Sequence, residues 1–297
     1  MDKSKVVIVK KRNNQSTILT DPEAIREMYL QGLTALADQK NPNDALHIFF
    51  KDKDRIGIKI NTIGGRSIST TPTTSLSLAN LLTDNDWDAN NILIWDRTNR
   101  ELKEAGYSLN MNQKGIKIFG TDSNSVGYNR NLTAFLNIGS LFSTILTHTI
   151  TASISLAMLK DHGLAGVTAG MKNYFGAIHN PNKYHDNNCN PFIAELFGTP
   201  MVRNKHRISI LDALKVQYHR GPSSHPKWAE NYGALIFSQD PVAADTVGWQ
   251  IINKLREKKG LPSLEEEQRP PKYPHTAERM GIGTSNLENI NIIEIEV

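Results

Sequence analysis

The chain has 297 residues, 39% of them apolar and 22% charged, and 34 Lys and Arg against 30 Asp and Glu leave a formal charge of only +4. That is enough apolar material for one large α/β domain or two lobes, and too slight a positive excess, without basic runs or an aromatic stacking series, to argue for a nucleic-acid partner. The single cysteine, Cys189, excludes an internal disulfide and an iron–sulfur cluster held by this chain alone, and no stretch approaches the roughly 18 apolar residues of a membrane span.

In chain order, the charged start Met1-Asp2-Lys3-Ser4-Lys5 runs straight into a predicted strand at Val6–Val9. It lacks the pattern of a secretory signal, as would a chain whose signal had been removed. Asp21-Pro22-Glu23 opens a helix with a cap, a first-turn proline and an early acid, and Ile25, Met28, Tyr29, Leu33 and Leu36 follow at helical spacing. Arg55–Asn61 alternates into a buried strand. A polar loop, Thr62–Thr71, precedes a helix from Pro72 to Leu82, and strands are expected at Ile92–Trp95 and Gly115–Gly120. Ile145–Leu156 predicts one or two strands ending near Lys160-Asp161-His162. The small-residue segment Gly163–Gly176 reads as a helix carrying Lys172 and Asn173. Pro191–Phe197 is a short helix, Arg207–Leu211 a strand ending at Asp212, Ala234–Phe237 a strand, and Val242–Lys258 a long helix capped by Asp240. A Pro-rich connector, a short helix near Ala277–Met280 and a last strand at Ile290–Val297 close the chain. Alternating strands and helices predict an α/β fold, a mostly parallel twisted sheet with helices on both faces. A single domain, 1–297, is expected, with 1–140 and 141–297 as possible lobes.

Polar chemistry collects in Lys160–His185, KDHGLAGVTAGMKNYFGAIHNPNKYH. Imidazole is the usual general base near neutral pH, and His with carboxylate suits a divalent transition metal, although HxH and HExxH spacings are missing. His162, Lys172, Asp161 and Asn173 are the candidate catalytic residues. Lys160, Asn180 and Arg220, with Thr70 and Thr71 at the start of the Pro72 helix, are candidates for holding a small anion. His162, His179, His185 and Asp212 are the candidate metal ligands. Asp96, Asp161, Asp212 and Asp240 each follow a predicted strand, where ligands of open α/β sheets bind, though Asp also favours strand-ending turns and caps. On a continuous helix His162 and Lys172 would stand about three turns apart, so one substrate touches both only if that helix is broken or the lysine reaches back. Cys189 reads as structural, and the loop Tyr218–Pro226 as a mobile anion-binding lid or a merely exposed loop.

Several segments in combination resemble a prokaryotic domain of unknown function, family 362. They are KINTIGG with STTP (Lys59–Gly65, Ser69–Pro72), WDRT (Trp95–Thr98), LKDHGLAGVTAGMKNYFGAIHNP (Leu159–Pro181), ISILDAL (Ile208–Leu214), RGP (Arg220–Pro222), SQDPVAAD (Ser238–Asp245) and AERMGIGT (Ala277–Thr284). The resemblance spans most of the chain and brings no settled activity. Some relatives carry iron–sulfur modules or export signals, so it implies export with a removed signal as one localisation. More distantly, His162–Lys172 is similar to the HxxAGxxxGxK segment of the nickel-pincer lactate racemases, and STTP to their TRPTP loop, without its arginine. That similarity implies a fold like the racemase N-terminal domain, a tethering role for Lys172 and an acid/base role for His162. It offers His179 or His185 as a nickel ligand, at a spacing the racemases do not share. The expectation is an enzyme, an isomerase, lyase or hydrolase, acting on a small anionic organic substrate by acid/base chemistry with a divalent metal as candidate cofactor. A non-catalytic anion- or metal-binding protein with the same cleft is the alternative.

Overall fold

The computed structural model describes residues 3–12 and 20–297; Met1 and Asp2 of the charged start lie outside the described residues. Its strands and helices, in chain order, are β1 (Ser4–Lys10), α1 (Pro22–Ala37), α2 (Pro42–Phe49), β2 (Ile56–Lys59), α3 (Pro72–Thr83), β3 (Ile92–Asp96), α4 (Asn99–Glu104), β4 (Lys117–Gly120), β5 (Thr133–Phe135), β6 (Ile138–Ser140), β7 (Ala152–His162), β8 (Gly166–Thr168), α5 (Phe192–Gly198), α6 (Pro200–Arg203), β9 (His206–Gln217), β10 (Ala229–Glu230), β11 (Ala234–Ser238), α7 (Pro241–Lys258), α8 (Tyr273–Arg279) and β12 (Ile290–Glu296). The main sheet runs β12-β1-β11-β9-β7-β2-β3-β4, so strands from both sides of residue 140 share it. The β9-β7-β2-β3-β4 block is parallel, and β11 enters antiparallel between β9 and β1.

Strand alternation sends side chains to two apolar layers. Val7, Val9, Ile56, Ile58, Ile92 and Ile94 pack under α1 to α4, whereas Val6, Ile8, Leu93 and Trp95 face the layer built with α5, α7 and α8. Each of these buried side chains contributes about 1.5–3 kcal/mol. The mostly parallel sheet with helices on both faces is therefore the observed architecture. The two expected caps form as well, Asp21 accepting from the amide of Glu23 and Asp240 from both Val242 and Ala243, and Thr71 adds a third by accepting from Thr74.

Three readings of the sequence need correction. Gly163–Gly176 is not a helix: Gly166 turns the chain at φ +77°, Gly166–Thr168 pairs antiparallel with Lys160–His162, and only a single stretch of 3-10 helix, Lys172–Ala177, follows. The strand expected to stop at Asp212 continues to Gln217, because β10 and β11 pair with its second half. Part of Ile145–Leu156 is a π-helical turn, Ile145–Thr149, ahead of β7.

After β4 the chain returns to lay β7 on the opposite side of β2 from β3. The connections through α3 and α4 pack in one apolar layer, and Ile138, Ile145 and Leu146 of the return segment pack in the other. This strand-order switch leaves a crevice at the carboxyl ends of β2, β3 and β7, the usual place for a ligand in an open α/β sheet.

Candidate functional site

Lys59, Asp96 and His162 end those three strands, and all three line one cavity of about 260 Å³. The 3-10 turn supplies Lys172, Asn173, Phe175 and Gly176, while Asn61, Thr168, Pro181, His185 and Pro222 complete much of the wall. The β7–β8 hairpin explains how residues ten positions apart meet there. It reverses the chain, so Lys172 comes back over His162 without any helix having to break. The turn itself is pinned from below by Asp245 of α7, whose carboxylate accepts from the amides of Gly170 at 2.7 Å and Met171 at 3.1 Å and from the Tyr273 hydroxyl at 2.8 Å. Gly176 has no room for a side chain: a Cβ there would stand 2.9 Å from Lys59 Nζ.

One end of the cavity is a closed polar unit. Lys59 Nζ donates to Asp96 Oδ1 at 2.6 Å, to the Ile60 carbonyl at 2.7 Å and to Asn173 Oδ1 at 3.1 Å, which uses all three of its protons. Asp96 Oδ2 accepts from the Thr62 amide and hydroxyl, and Asn173 Nδ2 donates to the Lys59 carbonyl and to Ser155. A buried pair this fully bonded is a rigid floor with no spare donor for a ligand.

The other end is unsatisfied. His162 Nδ1 accepts from the amides of Leu164 and Ala165, at 3.2 and 3.1 Å, so that nitrogen carries no proton and Nε2 is the N–H. Burial, then the Lys172 and His185 charges, push its pKa down to about 2. His162 is thus a neutral hydrogen-bond donor at physiological pH, which, of the acid/base role expected of it, suits donating rather than accepting a proton. His185 has the opposite tautomer: its Nδ1 donates to the Pro181 carbonyl at 3.1 Å, leaving the Nε2 lone pair to accept from Lys172 Nζ at 3.3 Å. The two rings stack with centroids 5.7 Å apart. Lys172 Nζ also sits 4.1 Å from the Phe175 ring centre, and no carboxylate among the described residues pairs with it. Burial lowers its pKa to about 8. Two further polar atoms of the wall, Thr168 Oγ1 and Asn61 Oδ1, are buried without a hydrogen-bond partner.

His162, Lys172, Asn173 and His185 therefore come together, with Asp96 of the strand-end aspartates, and the remaining candidates do not line this cavity. Asp161 points the other way along β7, held by Arg269 Nη1 at 2.6 Å and the Gly221 amide at 2.8 Å, so it does not orient His162. Lys160 Nζ donates to the Ile68 carbonyl at 3.3 Å, and burial lowers its pKa to about 8. Thr70 Oγ1 bonds to the Leu156 carbonyl, and Thr71 caps α3. His179 and Asn180 are exposed, His179 against Tyr128. Arg220 is exposed too, and its loop reaches the cavity through Pro222 instead. Asp212 faces a separate cavity of about 40 Å³ beside Thr71 and Thr74.

The four proposed metal ligands are thus spread over two cavities and the surface, and among the described residues no three His, Cys, Asp or Glu side chains are placed to hold a metal ion. The donor set disagrees as well. Ligation through His162 Nε2 would require an imidazolate, since Nδ1 already accepts two amides, and His185 Nε2 is occupied by Lys172. These residues do not fit a nickel or other divalent centre.

Lys59 was missed as a site residue. Its signal was in the sequence: a lysine inside the alternating strand RIGIKIN, where the pattern demands burial and hence a partner. Thr168 and Asn61 carried no such signal, because hydroxyl and amide groups are ordinary in turns.

No helix among the described residues is long and apolar enough to cross a membrane. No curated protein matches the chain. A crystal structure of a Thermotoga maritima protein from the Northeast Structural Genomics Consortium superposes with a TM-score of 0.46 at 10% identity. The match takes in 83% of this chain and 60% of that one, so the chain spans less than two thirds of that protein's length. The motifs that build the cavity, from the end of β2 to α7, fall within residues 56–250, which match the family described as "Domain of unknown function (DUF362)"; the chain belongs to that family.

Proposed function

We propose that the protein is an enzyme acting on a small anionic organic molecule in this cavity by acid–base chemistry, with Lys172 and His185 handling the proton. The observation that carries this reading is the Lys172 ammonium, 93% buried with an imidazole lone pair and an aromatic face for company but no carboxylate paired with it among the described residues. A buried cation without an anion is costly, and a bound carboxylate or phosphate supplies what is missing. The His162 Nε2–H adds a second donor that costs no charge. Its neutral imidazole polarises an oxygen of the ligand and leaves proton transfer to the lysine, whose pKa near 8 lies close to working pH. Asn173 and the Lys59–Asp96 floor fix the shape of the pocket.

Malonate serves as the test ligand. Calorimetric titration at pH 7 is expected to show binding that weakens at least tenfold, about 1.4 kcal/mol, in Lys172→Met. The protonated lysine is the binding form, so affinity falls as pH rises through about 8. A lysine in water would hold its charge to about 10.4. Solvent deuterium entering the malonate methylene faster with the protein than without it, and no longer so in Lys172→Met, marks acid–base action. Binding without exchange would make this a binding protein, and unchanged affinity in Lys172→Met would overturn the site.

A further inference from the structure

We infer that the substrate of this cavity carries a carbonyl group beside its anionic group, a small 2-oxo acid, and that Lys172 forms an imine with it. The inference rests on the anion-binding reading above and adds the reacting bond. Three lysine and arginine side chains, Lys59, Arg97 and Lys172, line the cavity with Lys160 beside it, and all but Lys172 are already committed. Lys59 spends its protons on Asp96, Asn173 and the Ile60 carbonyl, Lys160 reaches the Ile68 carbonyl, and Arg97 pairs with Glu101. Lys172 alone is bonded only to a group that can take its proton, the His185 Nε2 lone pair at 3.3 Å, whose tautomer is fixed by the Pro181 carbonyl. An amine beside a base, packed on Phe175 and shielded from bulk water, is built as a nucleophile.

The chemistry balances without any cofactor. Lys172 passes one ammonium proton to His185 Nε2, and the neutral amine adds to the carbonyl carbon to give a carbinolamine. That proton then returns to the departing oxygen, water leaves, and a C=N bond replaces the C=O bond. The other features of the wall suit such a molecule. The His162 Nε2–H is free for its carboxylate, Thr168 Oγ1 and Asn61 Oδ1 lack partners that a carbinolamine hydroxyl can supply, and Ile63, Phe175, Pro181 and Pro222 offer apolar surface to a short carbon chain. A cavity of about 260 Å³ limits that chain to a few carbons.

Pyruvate with sodium borohydride is the direct test, because borohydride reduces an imine to a stable secondary amine. Intact mass and peptide mapping of the full-length protein are expected to show one adduct per chain, on Lys172. It should vanish in Lys172→Arg, which keeps the positive charge, and form at least tenfold more slowly in His185→Ala, which keeps the amine. If Lys172→Arg does not fold, the His185→Ala rate and the mapped position decide alone. An adduct spread over exposed lysines and unchanged in either variant overturns the inference. So does the absence of any adduct while malonate still binds through Lys172, an outcome that leaves the anion reading standing; no adduct and no malonate binding overturn both.

Discussion

Asp212 has an environment unlike that of the other strand-end carboxylates. It is 2% exposed, accepts one amide, from Leu214 at 3.2 Å, and forms no ion pair among the described residues, so burial raises its pKa to about 7. Asp245 is raised to about 7 for the same reason, despite its two amides and the Tyr273 hydroxyl. The unfolded chain gives up these protons near pH 3.9, well before the folded one does. Between about pH 4 and 7 the folded state therefore binds more protons, and stability falls as pH rises through that window. Asp212→Asn keeps the acceptor for Leu214 and removes the titration. Urea denaturation across pH 4 to 8 is expected to show a flatter decline for the variant, by about 1.4 kcal/mol for each unit of the shift removed. Identical slopes would mean that Asp212 is hydrated and ionises normally. The same contrast shows what single residues conceal in a sequence. Asp96, Asp161, Asp212 and Asp240 all follow or end apolar runs, yet they become an ion-pair partner, a clamp for the Gly221 loop, a lone buried acid and a helix cap. The alternation of the strands was readable; the partners come from distant segments, Arg269 from 108 residues away for Asp161 and Ser4 from 236 for Asp240.

At the scale of elements, the β7–β8 hairpin does most to make the site, and its reading from sequence failed. In this segment Ala, which favours a helix, alternates with Gly, which disfavours one, so local preferences cancel and distant contacts decide. Here they are the left-handed Gly166, which packs against the Arg269–Pro271 backbone, and Asp245, which takes up the amides that a helix would have used internally. The capped helices α1, α3 and α7 were legible because their determinants are local, a cap, a proline in the first turn and an apolar stripe. The hairpin supplies its own test. A Cβ at Gly166 would lie 2.7 Å from the Pro271 nitrogen, and φ +77° is unfavourable for any side chain. Gly166→Ala is expected to cost more than about 1 kcal/mol in urea denaturation. It should also weaken malonate binding, because His162 and Lys172 meet only through this turn. Wild-type affinity in a destabilised Gly166→Ala protein would show that the lysine is placed by Asp245 alone.

For the molecule as a whole, the segments flanking residues 56–250 are part of the working structure. β1 and β12 extend the sheet beyond β11, and the stretch after α7 returns across the carboxyl end of β7. There Arg256, fully buried, donates to the Tyr218 and Pro262 carbonyls and sits against Glu267, while Arg269 bridges Glu267 and Asp161. This charged cluster ties the last 40 or so residues to the strand that carries His162. Burial already holds the Asp161 carboxyl above its ordinary range even with Arg269 at 2.6 Å. Arg269→Met removes the nearest cation from a carboxylate that is 1% exposed, and breaking a buried pair in this way costs about 3–5 kcal/mol. The folded-state pKa of Asp161 rises further in the variant, so its penalty is incurred only once this carboxyl ionises in the folded wild type, which happens above the ordinary carboxylate range. Little loss is expected near pH 4 and most of it by pH 8, with the two stability curves diverging as pH rises. Parallel curves across that range would show that Arg256, 4.0 Å from the same carboxylate, carries the compensation instead.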